Sequence, residues 1–262
     1  MFLQAEGWER FSGLVHGFSG RLEGRGESCI RPTLCGPPTG RSQGSPLRDR
    51  GQNLPLFTLQ QVHGSEVVRL SLPLPQERPC ADGMITQQKG LLLGVITADC
   101  VPVLLVEPHR GVIAALHAGW RGTLKGIVPR AMERLVEEYG VDPSFLFAAL
   151  GPAIGPCCYE VGRDIGEDML ERWGEAYAVA WRPAGEKGFL DLRLVNTILL
   201  EQAGVPRVHI QHVGPCTACH TDRFASYRRE GVGAGRQLSV IGWTSFKLRA
   251  KGQELRARRA KN

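Results

Sequence analysis

The chain has 262 residues, 42% of them hydrophobic and 22% charged, which is enough to bury a sizeable core in one large domain or two small ones. No run of roughly 18 apolar residues exists, so no membrane span is expected, and the opening MFLQAEGWERF has neither the basic nor the apolar region of a secretory signal, which points to the cytoplasm. The formal net charge is +6, but residues 246–262 hold seven Lys/Arg against the single acid Glu254 and account for all of it; a basic end with so few aromatics reads as a solvated tail, not a specific nucleic-acid site.

Residues 20–53 are rich in Gly, Pro, Arg and Ser without periodicity and read as a long irregular segment. Leu56–Leu70 and Leu91–Val106 have strand-like apolar character, with Pro102 expected to break the second after Cys100. Val112–Leu116 reads as a short buried strand. From Thr123 to Tyr139 the pattern turns helical: Ile127, Ala131, Leu135 and Tyr139 recur at i+4, and Gly140 supplies the stop. Phe145–Leu150 returns to strand before a turn at 151–155. Helices are expected over Asp164–Trp173 and Asp191–Ala203, the second ended by Gly204, and late strands over Val208–Val213 and Gln237–Trp243. Strands and helices mix without strict βαβ repetition or internal repeats. The expected fold class is therefore α+β, a mixed α/β sandwich in a single domain over 1–245, with 246–262 as a tail.

Eight cysteines in a chain of this size with no export signal are expected to be free, metal-binding or catalytic. The vicinal pair Cys157 and Cys158 reads as loop packing. Cys216-Thr-Ala-Cys219-His220 matches the c-type haem attachment pattern, but such attachment requires export; a zinc site would need a second ligand pair at similar spacing, which is not evident. A thiol pair in a loop is the expectation there. Cys29, Cys35 and Cys80 suggest no role.

The chemistry concentrates elsewhere. His63, Cys100 and His117 each stand where an apolar run gives way to a turn, the usual way a rigid scaffold presents reactive groups. Two His and one Cys make a three-ligand zinc set with an open fourth position, the catalytic pattern, and zinc so held lowers the pKa of water toward ~7. The separations match no local metal motif, so satisfied buried histidines are the competing reading. So is a metal-free one: Cys100 as thiolate nucleophile, His117 as general base, and Asp99 or Asp82 orienting it.

The segments QVHG at 61–64, ADGMIT at 81–86, TADCVPVLL at 97–105, HAGWRGT at 117–123, GPAIGPCCYEVG at 151–162 and SYRREG at 226–231 stand in this order and together resemble the YfiH-like laccase-domain family, also labelled multicopper polyphenol oxidase. The resemblance covers roughly 60–245, and His16–Arg21 is similar to the family's N-terminal segment. It departs over 22–53, where the family's glycine- and asparagine-containing segments are not clear.

The resemblance implies a zinc site on His63, Cys100 and His117. It implies phosphorolysis of adenosine, inosine, guanosine and methylthioadenosine, together with adenosine deamination. It also implies a fold similar to that of cytotoxic necrotizing factor toxins, a Cys–His deamidase group. Deamination would use Asp99 or Asp82 to move protons, since the H-x-E motif of other zinc deaminases is missing. Phosphate would fall to Arg21 and Arg121, whose forks match phosphate oxygens, with a structural pairing as the competing role for Arg121. The laccase label makes copper the alternative metal, because copper binds N/S sites more tightly than zinc; seven histidines without a His-x-His pattern are few for a four-copper centre. A non-catalytic binding module is the third class, opposed by Cys and His at strand ends.

Overall fold

The longest apolar runs become the strands of two stacked sheets. In the computed structural model, which describes residues 2–22, 48–49 and 52–244, a six-stranded mixed sheet runs in the order Ile210–His212, Phe147–Leu150, Val101–Glu107, Val112–Ala118, Gly83–Thr86, Val67–Arg69. A five-stranded sheet runs in the order Phe2–Leu3, Leu14–Ser19, Gln237–Trp243, Leu91–Thr97, Leu56–Thr58. Their facing side chains, among them Phe18, Leu93, Ile241, Leu104, Val106 and Ile113, form one core cluster. The alternate residues Val103, Leu105, Ala114 and Leu116 belong to a second cluster on the other face of the six-stranded sheet, under the helices. Each central strand is thus buried on both faces, which is why Val101–Glu107 and Val112–Ala118 are unbroken apolar runs. Leu104 is fully buried between the two sheets; Leu104→Ala should cost about 2–5 kcal/mol, read as a lower denaturant midpoint at unchanged slope.

The helical layer starts at Trp120–Lys125 (α1) and Ile127–Tyr139 (α2), followed by Arg163–Trp173 (α3), Leu192–Gln202 (α4) and the single turn Tyr227–Glu230 (α5). The one helix expected over 123–139 is in fact two, because Gly126 adopts φ 90°, a left-handed conformation that ends α1 and admits α2 at a new angle. Gly140 closes α2 as expected. Asp191 caps α4 by accepting the Leu194 N–H at 3.0 Å. Buried Asn196 of α4 donates to Thr123 Oγ1 at 3.1 Å, tying α4 to α1 beneath the site described next.

Three expectations change. Leu56–Leu70 is two short strands in different sheets, Leu56–Thr58 and Val67–Arg69, joined by the loop that carries His63. The break near Cys100 falls at 98–100, and Pro102 sits inside the following strand, opposite His117. Close to a strand's start a missing N–H is tolerated, and the Pro102 carbonyl still accepts from Gly151 at 2.9 Å. A small antiparallel sheet, Glu160–Gly162, Lys187–Leu190 and Trp181–Ala184, was not expected at all. Most of the irregular 20–53 segment and the basic tail lie outside the described residues. Among the described residues, no helix is long and apolar enough to cross a membrane.

Candidate metal centre

His63, Cys100 and His117 arrive from three elements and converge. Their ligand atoms all lie within 4.8 Å of one another, and the two imidazoles meet edge to face with centroids 4.8 Å apart. His117 is buried on the strand Val112–Ala118, Cys100 is half-buried on the turn between Leu91–Thr97 and Val101–Glu107, and His63 is exposed on the loop before Val67. The His63 backbone is left-handed at φ 57°, and so is that of Asp99 at φ 85°, next to Cys100. Non-glycine residues hold such conformations only where surrounding bonds enforce them, and two carboxylates supply those bonds.

Asp82, fully buried, is the first. Its oxygens accept the backbone N–H groups of Val62, His63 and Gly64 at 3.2, 3.0 and 2.6 Å and meet His117 Nδ1 at 2.7 Å. One side chain therefore fixes both histidines and leaves His117 Nε2 as the atom presented to a ligand, the carboxylate–histidine arrangement that accompanies metal-ligating imidazoles. Burial alone would raise the Asp82 carboxyl, but the bonds from His117, Gly64 and Val62 outweigh it and hold the group below the usual carboxylate range. Asp99 is the second. It accepts Thr217 Oγ1 at 2.6 Å, Ser226 Oγ at 3.0 Å and the Arg228 N–H at 2.7 Å. Both of its oxygens are engaged in holding two loops, so its geometry suits positioning Cys100 rather than carrying protons.

Cys100 and His117 are electrostatically coupled. Burial pushes the Cys100 thiol up, yet the charge and hydrogen bond of His117 and the contact with His63 bring it down to about 6. Burial likewise disfavours charge on His117, but the Cys100 sulfur and Asp82 raise it to about 9. The two opposite shifts favour a thiolate beside an imidazolium at neutral pH. A metal ion would replace that imidazolium proton, and a thiolate with two imidazoles is a donor set suited to zinc or copper. Gly119 leaves the needed space: a Cβ there would lie 2.9 Å from Cys100 Sγ and 3.3 Å from His63 Cδ2. In chelator-treated protein at pH 7, iodoacetamide should alkylate Cys100 ahead of Cys157, whose thiol burial pushes up to about 11. Added zinc should protect Cys100, and peptide mapping by mass spectrometry reads both outcomes.

The expected phosphate arginines fare differently. Arg121, exposed on the first turn of α1 two residues beyond Gly119, stacks its guanidinium 4.4 Å over the Trp120 ring. Arg21 forms an ion pair with Glu230 and keeps 40% of its side chain exposed. Two residues overlooked in the sequence complete the rim. Tyr159 is buried and within electrostatic reach of Cys100, Arg121 and Arg228; burial first, then the Cys100 charge, raises its hydroxyl so that it stays protonated. Arg228 lies 5.3 Å over the Tyr159 ring. Both stand in segments already singled out, CCYEVG and SYRREG, but nothing in their spacing showed that they would meet. A cleft of about 460 Å3 along α2 and α4 contains none of these groups.

The remaining cysteines overturn an expectation. Cys157 and Cys158 do not simply pack a loop, and Cys216 and Cys219 do not stand as a pair without partners: all four sulfurs lie within 4.8 Å of one another. A parallel bridge between Ala153 and Cys216 joins the two segments, and Cys219 meets Cys157 and Cys158 across 62 and 61 positions of sequence, a distance at which no motif is visible.

Residues 47–244 match the family described as multi-copper polyphenol oxidoreductase laccase. The purine nucleoside phosphorylase YlmD of Geobacillus stearothermophilus is 34% identical over 198 residues, 71% of this chain and 72% of that one. Adenosine deaminase RL5, from an unknown prokaryotic organism, is 36% identical over 165 residues, 61% of each. The crystal structure of the hypothetical protein YfiH of Bacillus licheniformis has the same fold, with a TM-score of 0.78 at 26% identity over 93% of this chain and 96% of that one. With a match over that length and a shared fold, the chain belongs to the multi-copper polyphenol oxidoreductase laccase family.

Proposed function

We propose that the chain is a zinc-dependent purine nucleoside phosphorylase that also deaminates adenosine, acting on adenosine, inosine, guanosine and methylthioadenosine. The observation that carries this reading is the convergence of His63, Cys100 and His117 with His117 held by Asp82. Relatives named purine nucleoside phosphorylase and adenosine deaminase support the substrate class. The six cysteines among the described residues are all free thiols, which supports a reducing compartment such as the cytoplasm.

Zinc bound there supplies a Lewis acid that acidifies water without redox chemistry. The protein's own groups do the rest. Asp82 keeps His117 in one tautomer and orientation. Asp99 fixes the turn that presents Cys100. Arg121 offers its guanidinium fork to phosphate, Arg228, whose Nη1 donates to the Glu160 carbonyl at 2.6 Å, adds positive charge beside it, and Tyr159 is a neutral hydrogen-bond donor at the same rim. Phosphate aligned by the two arginines attacks the sugar carbon, the glycosidic bond breaks with its electron pair going to the purine nitrogen, and the proton that hydrogen phosphate gives up is taken by the departing purine as ribose 1-phosphate forms.

Arg121→Lys keeps the charge but loses the fork, so phosphorolysis of adenosine should fall about tenfold or more, the effect of losing roughly 1.4 kcal/mol of binding to the transition state. Deamination, which needs no phosphate, should change less. Product analysis for adenine, ribose 1-phosphate and inosine across a phosphate titration reads the split. Equal losses in both activities would mean that Arg121 binds the nucleoside or only supports the turn.

One observation favours a second reading. Cys100, His117 and Asp82 form a continuous thiolate–imidazole–carboxylate chain, the arrangement of a metal-free Cys–His hydrolase or deamidase. In that reading His63 only helps to lower the Cys100 thiol. His63→Ala would then reduce turnover modestly and leave it independent of zinc, whereas loss of a metal ligand removes zinc and turnover together.

A further inference from the structure

We propose that Cys157, Cys158, Cys216 and Cys219 form a second metal site, a closed tetrathiolate that takes one zinc ion and fastens the backbone beneath Cys100. The site plays no part in the proposed reaction and stands whether or not that reading holds.

The sulfur geometry fits a single tetrahedral ion. With Zn–S near 2.3 Å, the edges of a tetrahedron are about 3.8 Å. Cys219 Sγ lies 3.5 Å from Cys157 Sγ and 3.3 Å from Cys158 Sγ, and all four sulfurs fall within 4.8 Å of one another. Adjacent cysteines seldom reach one ion, but here the backbone turns sharply. The Cys158 and Tyr159 N–H groups both donate to the Gly155 carbonyl, at 3.0 and 2.9 Å, which curls residues 155–159 and brings both sulfurs to Cys219.

The surroundings of Cys216 suit a thiolate ligand. Cys216 Sγ accepts the Gly155 N–H at 3.2 Å, and the N–H groups of Ala218 and Cys219 also bond to it. Such donors stabilise sulfur as thiolate and orient it as a ligand. A Cβ on Gly155 would stand 3.3 Å from Cys216 Cβ and 3.4 Å from Cys157 Sγ, so glycine keeps the cage open enough to close around an ion. Arg229, itself paired with Glu230, braces the loop by donating to the Thr217 and Ala218 carbonyls at 3.0 and 2.8 Å. Binding releases the four thiol protons to solvent as four Zn–S bonds form. No position is left for water, which makes the site structural.

Its place in the fold gives it a purpose. The cage joins segment 153–158 to segment 216–219, and both touch Asp99: Ile154 N–H donates to the Asp99 carbonyl at 3.0 Å, and Thr217 Oγ1 to its carboxylate at 2.6 Å. Locking the two segments fixes the left-handed residue that aims Cys100.

The test is metal content in a background lacking the first site. The full-length Cys100→Ser protein, purified with reductant and without added metal, should hold one zinc per chain by elemental analysis and native mass spectrometry. Cys100→Ser combined with Cys219→Ala should hold none. Zinc-free Cys100→Ser protein, an unchanged zinc content in the double variant, or an intact mass two hydrogens light from a disulfide among the four would overturn the proposal. Should the double variant fail to fold, cobalt in the Cys100→Ser protein decides: intense sulfur-to-cobalt charge-transfer bands with tetrahedral ligand-field absorption are expected, and their absence contradicts a tetrathiolate.

Discussion

Cys100→Ser should abolish nucleoside turnover and remove zinc from the His63–Cys100–His117 centre. A serine hydroxyl is a hard, protonated donor at neutral pH, whereas Cys100 is drawn down to about 6 and is already a thiolate. The change also removes the negative charge that favours a cation beside His117, so the loss is electrostatic as well as coordinative. The expected fall in kcat/KM exceeds the about 10–100-fold that changes to groups behind metal ligands cost. Cys100 is half-buried in a turn and not in the apolar core, so the thermal midpoint should move far less than activity. Elemental analysis beside a phosphorolysis assay checks both. Full retention of zinc at that centre would remove Cys100 from the ligand set.

Asp82→Asn should damage both function and stability. The carboxylate serves four donors, Val62, His63 and Gly64 N–H and His117 Nδ1. An amide presents one accepting oxygen and two further protons, so at least one donor must face another in a buried site, at a cost of about 1–3 kcal/mol. The loop carrying His63 loosens and His117 loses its fixed tautomer, which should weaken metal binding about 10–100-fold. The pH dependence follows from the depressed Asp82 carboxyl. Its stabilising contribution is complete above the unfolded carboxyl pKa, about 3.9, and vanishes as pH falls through the lower folded value. The stability gap between wild type and variant should therefore be widest near neutrality and close in strong acid. Denaturant midpoints from pH 3 to 7 read this directly, and a gap that widens in acid would contradict the assigned role.

What could be read from the sequence was the part governed by short-range pattern. Val101–Glu107 and Val112–Ala118 are apolar on both faces because a sheet covers one side and helices the other, and a continuous run signals that burial. The i+4 spacing of Ile127, Ala131, Leu135 and Tyr139 marked α2, but not the break at Gly126, because a helical glycine and a left-handed one are spelled alike. The hairpin Trp181–Leu190 passed unnoticed, since its polar tip around Gly185 hides the alternation. At the candidate centre, residue types at strand ends pointed to His63, Cys100 and His117, which the structure brings together, while the placement of Asp82 under both histidines needed the strand pairing that sets Gly83 opposite Leu116. Tyr159, Arg228 and the four-cysteine cage depend on contacts between loops, which no local pattern encodes.

Whether the His63–Cys100–His117 centre runs nucleoside chemistry with zinc is decided by titrating zinc into rigorously copper-free, chelator-stripped protein while following adenosine with phosphate and, in parallel, a phenol such as syringaldazine. Adenine and ribose 1-phosphate should appear in proportion to zinc bound at the Cys100 centre, with inosine forming whether or not phosphate is present, and the phenol should stay unoxidised until copper is supplied. Protein that leaves every purine nucleoside intact at full zinc occupancy, yet oxidises phenol without copper, would contradict the account.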